Sequence, residues 1–131
     1  MGFPLPPDKI VPTEQALGVA FPLGYLARLR KDNGGSVTVR GEHWFLFPFR
    51  DDSDRKRLAR TCNDIVRETK QLREWRGFPA SGVAIANDGA GNALVLLPRE
   101  DDPVRLDEAV YDWFHETGEL TRVAERFEDL E

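Results

Sequence analysis

Cysteine and histidine are scarce in this sequence: Cys62 stands alone, and His43 and His115 are the only histidines in 131 residues. One thiol cannot close an internal disulfide, so nothing ties the chain to an oxidising compartment, and a cytoplasmic setting is the expectation. Two histidines allow no His-rich centre and no zinc-type spacing is present, so neither a metal nor a cofactor is expected. Long apolar runs are also missing, none approaching the roughly 18 residues that cross a bilayer. The opening Met1-Gly2-Phe3-Pro4-Leu5-Pro6-Pro7 lacks the basic and apolar regions of a secretory signal. Pro6 stands where N-myristoylation calls for Ser or Thr. Internal repeats and low-complexity tracts are absent too.

What is present suits an ordinary folded domain. Hydrophobic residues make up 40% and charged residues 31%, and the length supports one hydrophobic core but not two. The net charge of −5 conceals an asymmetry. From Arg99 onward, 12 acidic residues face 4 arginines, a balance of −8, while the first 98 residues carry +3. Such a distribution bears on encounter with partners. The acidic part argues against nucleic acid, which wants Lys and Arg clustered on one face. The alternative reading of the acidic stretch is a solvated face.

Along the chain, prolines 4, 6, 7 and 12 predict an extended arm over 1–12, with a single domain over 13–131. Thr13 caps a short helix over 14–17 that Gly18 ends. Pro22 opens a second helix with Leu23, Leu26 and Leu29 on one face, closed by Asn33-Gly34-Gly35. Residues 36–40 and 44–49 read as strands. A long helix is predicted over 54–75, with Leu58, Cys62, Ile65, Thr69 and Leu72 as its buried stripe. Residues 82–86 and 93–97 flank Asn87-Asp88-Gly89-Ala90-Gly91-Asn92 and predict a β-hairpin. An exposed acidic loop over 98–107 leads to a strand over 109–115. Thr117-Gly118 then turns into a last helix carrying Leu120, Val123, Ala124 and Phe127. Sequential hairpins with interspersed helices point to an α+β domain: an antiparallel, or mixed, sheet with helices packed mainly on one side.

No catalytic set emerges. Cys62 with His43 or His115 would make a thiol–imidazole pair, but its place on the apolar stripe assigns it to the core. The 87–92 turn has oxygen ligands without the spacing of a calcium loop. Gly89-x-Gly91 is followed by a strand, whereas phosphate binding needs a helix there. With no nucleophile, base and orienting group assembled, an enzyme is not expected. One partly exposed aromatic among Trp44, Trp75 and Trp113 would serve as an interface anchor.

The order of the spaced motifs is more specific than any one of them. Glu14-x-x-Leu17-Gly18 with Phe21-Pro22-x-x-Tyr25, Asn33-Gly34-Gly35, Ile85 through Asn92, and Val110-Tyr111-x-Trp113 running to Phe127 together resemble the SUKH superfamily. It is named after a yeast regulator of cell-wall synthesis and is populated largely by small bacterial immunity proteins that neutralise toxins. The resemblance implies the same α+β fold and a non-catalytic, protein-binding role. The partner it implies is a cognate toxin, basic and nuclease-like, with no nucleic acid and no membrane. A regulatory or scaffold module binding signalling or cell-wall synthesis proteins is the alternative. The acidic residues Asp101, Asp102, Asp107, Glu108 and Asp112 are the first choice for the partner surface, and Asp51, Asp52 and Asp54 the second. Gly34, Gly35, Asn87, Asp88, Gly89, Gly91, Asn92 and Trp113 are read as structural motif positions.

Overall fold

A computed structural model describes residues 3–130. Residues 1 and 2 of the expected arm, and Glu131, lie outside the described residues. Four α-helices, α1 (Ile10–Leu17), α2 (Leu23–Lys31), α3 (Arg55–Arg60) and α4 (Ile65–Leu72), accompany six strands. The strands are β1 (Ser36–Val39), β2 (Glu42–Leu46), β3 (Val83–Asn87), β4 (Ala93–Leu96), β5 (Val110–Phe114) and β6 (Glu119–Ala124). They form one curled sheet in sequence order, antiparallel at every pairing. This is the α+β domain anticipated from the motif order.

The hairpin at the centre follows from its turn. β3 and β4 are apolar runs, buried along their length except at Asn87, and a strand buried on both faces reads as continuous hydrophobicity. Between them, Gly89 and Gly91 take φ of 81° and 100°, a conformation that glycine adopts at little cost. Asn87 Oδ1 accepts from Gly89 N, and Asp88 Oδ1 accepts from Ala90 N. Trp113, fully buried on β5, donates its indole N–H to Gly77 O at 3.0 Å and meets Phe78 edge-on at 5.0 Å.

The second strand runs over 42–46 where 44–49 was expected, and Thr13 lies inside α1 instead of capping it; four further expectations change. Prolines 7 and 12 do not hold 1–12 extended. A 3₁₀ turn spans Pro7–Lys9 and α1 starts at Ile10, because proline is tolerated in a first turn, where no N–H partner is needed. On α2 the inward residues are Tyr25 and Leu29 with Leu26 partly buried, while Leu23 is 83% exposed.

The long helix breaks at Thr61–Asn63. Asp64 Oδ1 accepts from both Val66 N and Arg67 N, a fresh N-cap that starts α4. Cys62 is therefore exposed in the break, with Leu58 38% exposed, and only Ile65, Thr69 and Leu72 keep the inner face. The last helix is strand β6. Thr117-Gly118 closes a hairpin through Gly118 N to Phe114 O at 2.7 Å, and Gly118 packs backbone to backbone against Gly77. Pairing with β5 satisfies a backbone edge that a helix would have left open. Phe127 is buried in a short 3₁₀ turn beyond it, edge-on to Tyr25 at 5.0 Å.

The stretch after β2 explains how sheet and helices join. Phe47, Pro48, Phe49 and Asp51 are buried without belonging to a strand. Phe47 N donates to Ile85 O, Ile65 N to Pro48 O, and Asp51 N to Thr61 Oγ1. Asn33 clamps Phe49, its Nδ2 donating to Phe49 O at 2.8 Å and its Oδ1 accepting from Phe49 N at 2.9 Å. Thr69 does the same for Ala84: its hydroxyl donates to Ala84 O and accepts from Ala84 N. A bulge at Ile85, between the pairs Ala84–Val95 and Ala86–Leu94, turns β3 where β2 has left it.

Two outcomes are expected. Thr69→Val keeps the shape but strands a buried N–H and C=O, so urea unfolding should show a loss of roughly 2–4 kcal/mol, as should Asn33→Ala. A loss below about 0.5 kcal/mol for both would show that these backbone groups are satisfied otherwise. Cys62 should react quickly with a thiol reagent in the native state, and Cys62→Ala should change stability by less than about 0.5 kcal/mol. Slow labelling would place the thiol back in the core.

Candidate protein-binding surfaces

The acidic loop that follows β4 is fixed at several points. Arg99 N donates to Arg105 O and Asp107 N to Leu97 O, while Leu106 is buried. Ala20 N donates to Val104 O and Leu106 N donates to Ala20 O, which binds the loop to the start of the chain. The sequence expectation of a free exposed loop is thus only half met: its side chains are mostly exposed, but its backbone is held.

The carboxylates on this loop divide by what they touch. Asp101 takes a two-point contact from Arg99, at 2.9 and 3.0 Å, and that hydrogen bond holds its carboxyl below the usual range. Asp102 lies 3.3 Å from Arg105. Asp107 Oδ1 accepts from Glu108 N. Glu100, Asp107 and Glu108 are exposed, and among the described residues none of them forms an ion pair. The segment from Arg99 to Glu108 sets five carboxylates against two guanidiniums, a balance of −3. Together with Tyr111 and Pro98 the loop borders a concavity of about 480 Å³.

Asp112 stands apart from this ledge, on β5 opposite Leu94 and Thr121. It is half-buried, one carboxylate oxygen lacks a hydrogen-bond partner among the described residues, and desolvation raises its carboxyl above the ordinary range against the pull of Arg40.

The second acidic group lies at the entry to α3, away from the first. Asp51 is 1% exposed; it accepts from Ser53 N and Ser53 Oγ and lies 3.8 Å from Arg57. Asp52 pairs with Lys9 at 2.6 Å, which lowers its carboxyl. Asp54 caps α3 through Arg57 N at 2.7 Å and pairs with the Arg57 guanidinium, the backbone bond being the larger cause of its lowered carboxyl. These three carboxylates organise the α3 entry. Beside them, a concavity of about 630 Å³ runs between Asn33-Gly34-Gly35 and α3, with Arg28, Arg57 and Phe3 on its walls. Arg57 lies over the Phe3 ring at 4.1 Å.

A third concavity, about 300 Å³, separates α4 from the 87–92 turn. Asn92 supports its floor: Oδ1 accepts from His115 N, and Nδ2 donates to Asp88 Oδ2. The exposed tryptophan left open by the sequence is Trp75, at 55%, edge-on to His115 at 6.2 Å. Trp44 and Trp113 are core. Phe45 is exposed to the same degree. Glu68 and Trp75 lie seven residues apart along α4 and its end, but that they face the 87–92 turn was not legible, because it depends on where α4 docks.

Among the described residues no group of His, Cys, Asp and Glu is arranged to hold a metal ion, and no helix is long and apolar enough to cross a membrane. No curated protein matches the chain. The family model for the SMI1/KNR4 family (SUKH-1) matches residues 4–130, almost the whole described chain, from the Pro-rich start through the hairpins to the turn at Phe127. With that span and the six-stranded antiparallel sheet, the chain belongs to the SMI1/KNR4 family, SUKH-1, of the SUKH superfamily.

Proposed function

We propose that this domain is a bacterial, cytoplasmic immunity-type protein that binds a cognate toxin domain and masks it. Masking by occlusion requires a complementary surface and no catalytic group. The observation that carries the reading is the acidic ledge at 98–108, whose backbone is held in place while Glu100, Asp107 and Glu108 face solvent without ion pairs among the described residues. A preorganised surface loses less entropy on binding. Its excess negative charge suits a partner that is itself basic, as a nuclease must be to hold phosphate. Asp101 and Asp102, already paired with Arg99 and Arg105, shape the ledge more than they charge it.

The test is the kinetics of binding to the toxin domain encoded beside this protein. Replacing Glu100, Asp107 and Glu108 together with Lys should slow association by about tenfold or more at low salt, with dissociation changed less. Raising the ionic strength should slow the native protein's association and shrink the difference. Unchanged association across a salt series would remove the ledge from the interface. Absence of any complex would remove the immunity reading with it.

A further inference from the structure

The concavity between α4 and the 87–92 turn holds a carboxyl group that, among the described residues, has no direct partner. Glu68 is half-buried on α4, and among the described residues its carboxylate has neither a hydrogen bond nor an ion pair. The nearest cation acting on it is Arg67, whose guanidinium instead donates to Cys62 O. Arg73, one turn on, is committed to Gly82 O. Burial pushes the Glu68 carboxyl up, as expected for a charge that has lost water without gaining a counter-ion.

The remaining walls are aromatic and amide. Trp75, 55% exposed, and Phe47 line it, and Gln71, Asn87 and Asn92 supply polar side chains. Glu68 is the one ionisable side chain lining this concavity among the described residues. The last turn of α4 also borders it, the end of a helix whose dipole favours positive charge. An indole face and an unpaired carboxylate side by side match a guanidinium, which stacks on aromatic rings and donates in a planar fork.

We propose that this concavity receives an arginine side chain of the bound partner protein, with the guanidinium between Trp75 and Glu68. The inference rests on the domain being a partner-binding module, and it adds a second contact at the opposite end of the β3–β4 ladder from the acidic ledge. Two separated anchors would fix the partner's orientation where charge attraction alone would not.

The test needs no toxin. The isotope-labelled protein is titrated with Nα-acetyl-arginine amide and, in parallel, with Nα-acetyl-citrulline amide, which has nearly the same shape without the charge. The arginine probe should give saturable NMR shifts at the Trp75 indole N–H and at the backbone amides of Asn87 and Asn92. The citrulline probe should bind about tenfold more weakly, as should arginine to Glu68→Gln. Trp75→Ala, at an exposed position, should weaken the arginine probe similarly while the remaining spectrum stays native. Equal binding of both probes, or full arginine binding to Glu68→Gln, would overturn the proposal. Saturable arginine binding combined with no toxin complex would retain the pocket and sink the immunity reading, so the two failures are distinguishable.

Discussion

The buried extended segment from Phe47 to Asp51 is the constraint around which this domain is built. It leaves β2 with no strand beside it over most of its length, yet all of it but Arg50 is buried, and buried peptide groups must find partners. The chain meets that demand with separate elements: Ile85 from β3, Ile65 at the start of α4, Asn33 beyond α2, and Thr61 in the helix break. Each of those bonds fixes the position of the element that supplies it. The departure of β2 leaves Ala84, which pairs with Val95 of β4, without a partner on its β2 side, and Thr69 bonds it from α4 instead. Both Asn33 and Thr69 thus use one side chain to satisfy a buried backbone N–H and C=O of a single residue, which offsets the cost of placing polar side chains in the core.

The candidate binding surfaces follow from the same geometry. Because Thr69 seats α4 on β3, Glu68 and Trp75 arrive beside the turn that joins β3 to β4. Because α4 must start afresh after Pro48, the helix breaks, Asp64 becomes a cap, and Cys62 is put outside. At the other end of the hairpin, the acidic loop returns to pair with Ala20 and Leu97, so its charges are displayed from a fixed frame. A protein that binds a partner tightly benefits from such a frame, since each side chain or loop ordered on binding subtracts from affinity.

Local chemistry made the β3–β4 hairpin legible: two apolar runs around Asn, Asp and Gly leave few alternatives, and the positive φ of Gly89 and Gly91 agrees. It also made β5 and its buried Trp113 legible, and the ordered motifs indicated the family. Less visible was the end of the chain, where Leu120, Val123, Ala124 and Phe127 carry helical spacing but form a strand and a turn. A short apolar pattern does not by itself separate the two periods, and the open edge of β5 decided for the strand. The helix over 54–75 failed for a related reason. Its periodicity held only beyond the break, at Ile65, Thr69 and Leu72, while α3 buries no residue, and Asp64 competes for backbone N–H groups in a way that hydrophobic spacing does not register.

The sequence alone determined what depends on near neighbours and on totals: an acidic far end, tight turns at glycine and a central apolar hairpin. These rest on backbone freedom, side-chain polarity and net charge, which act over a few residues or over the whole chain. Tertiary structure decided which groups distant in sequence meet: Asn33 with Phe49, Thr69 with Ala84, Lys9 with Asp52, and Glu68 and Trp75 of the α4 region with Asn87 and Asn92 around one concavity. It also sorted the acidic residues, burying Asp51, pairing Asp101 and Asp102, and leaving Glu100, Asp107 and Glu108 to solvent. Whether a carboxylate caps, pairs or faces a partner depends on its distance from the nearest donor, and that distance exists only once the chain has folded.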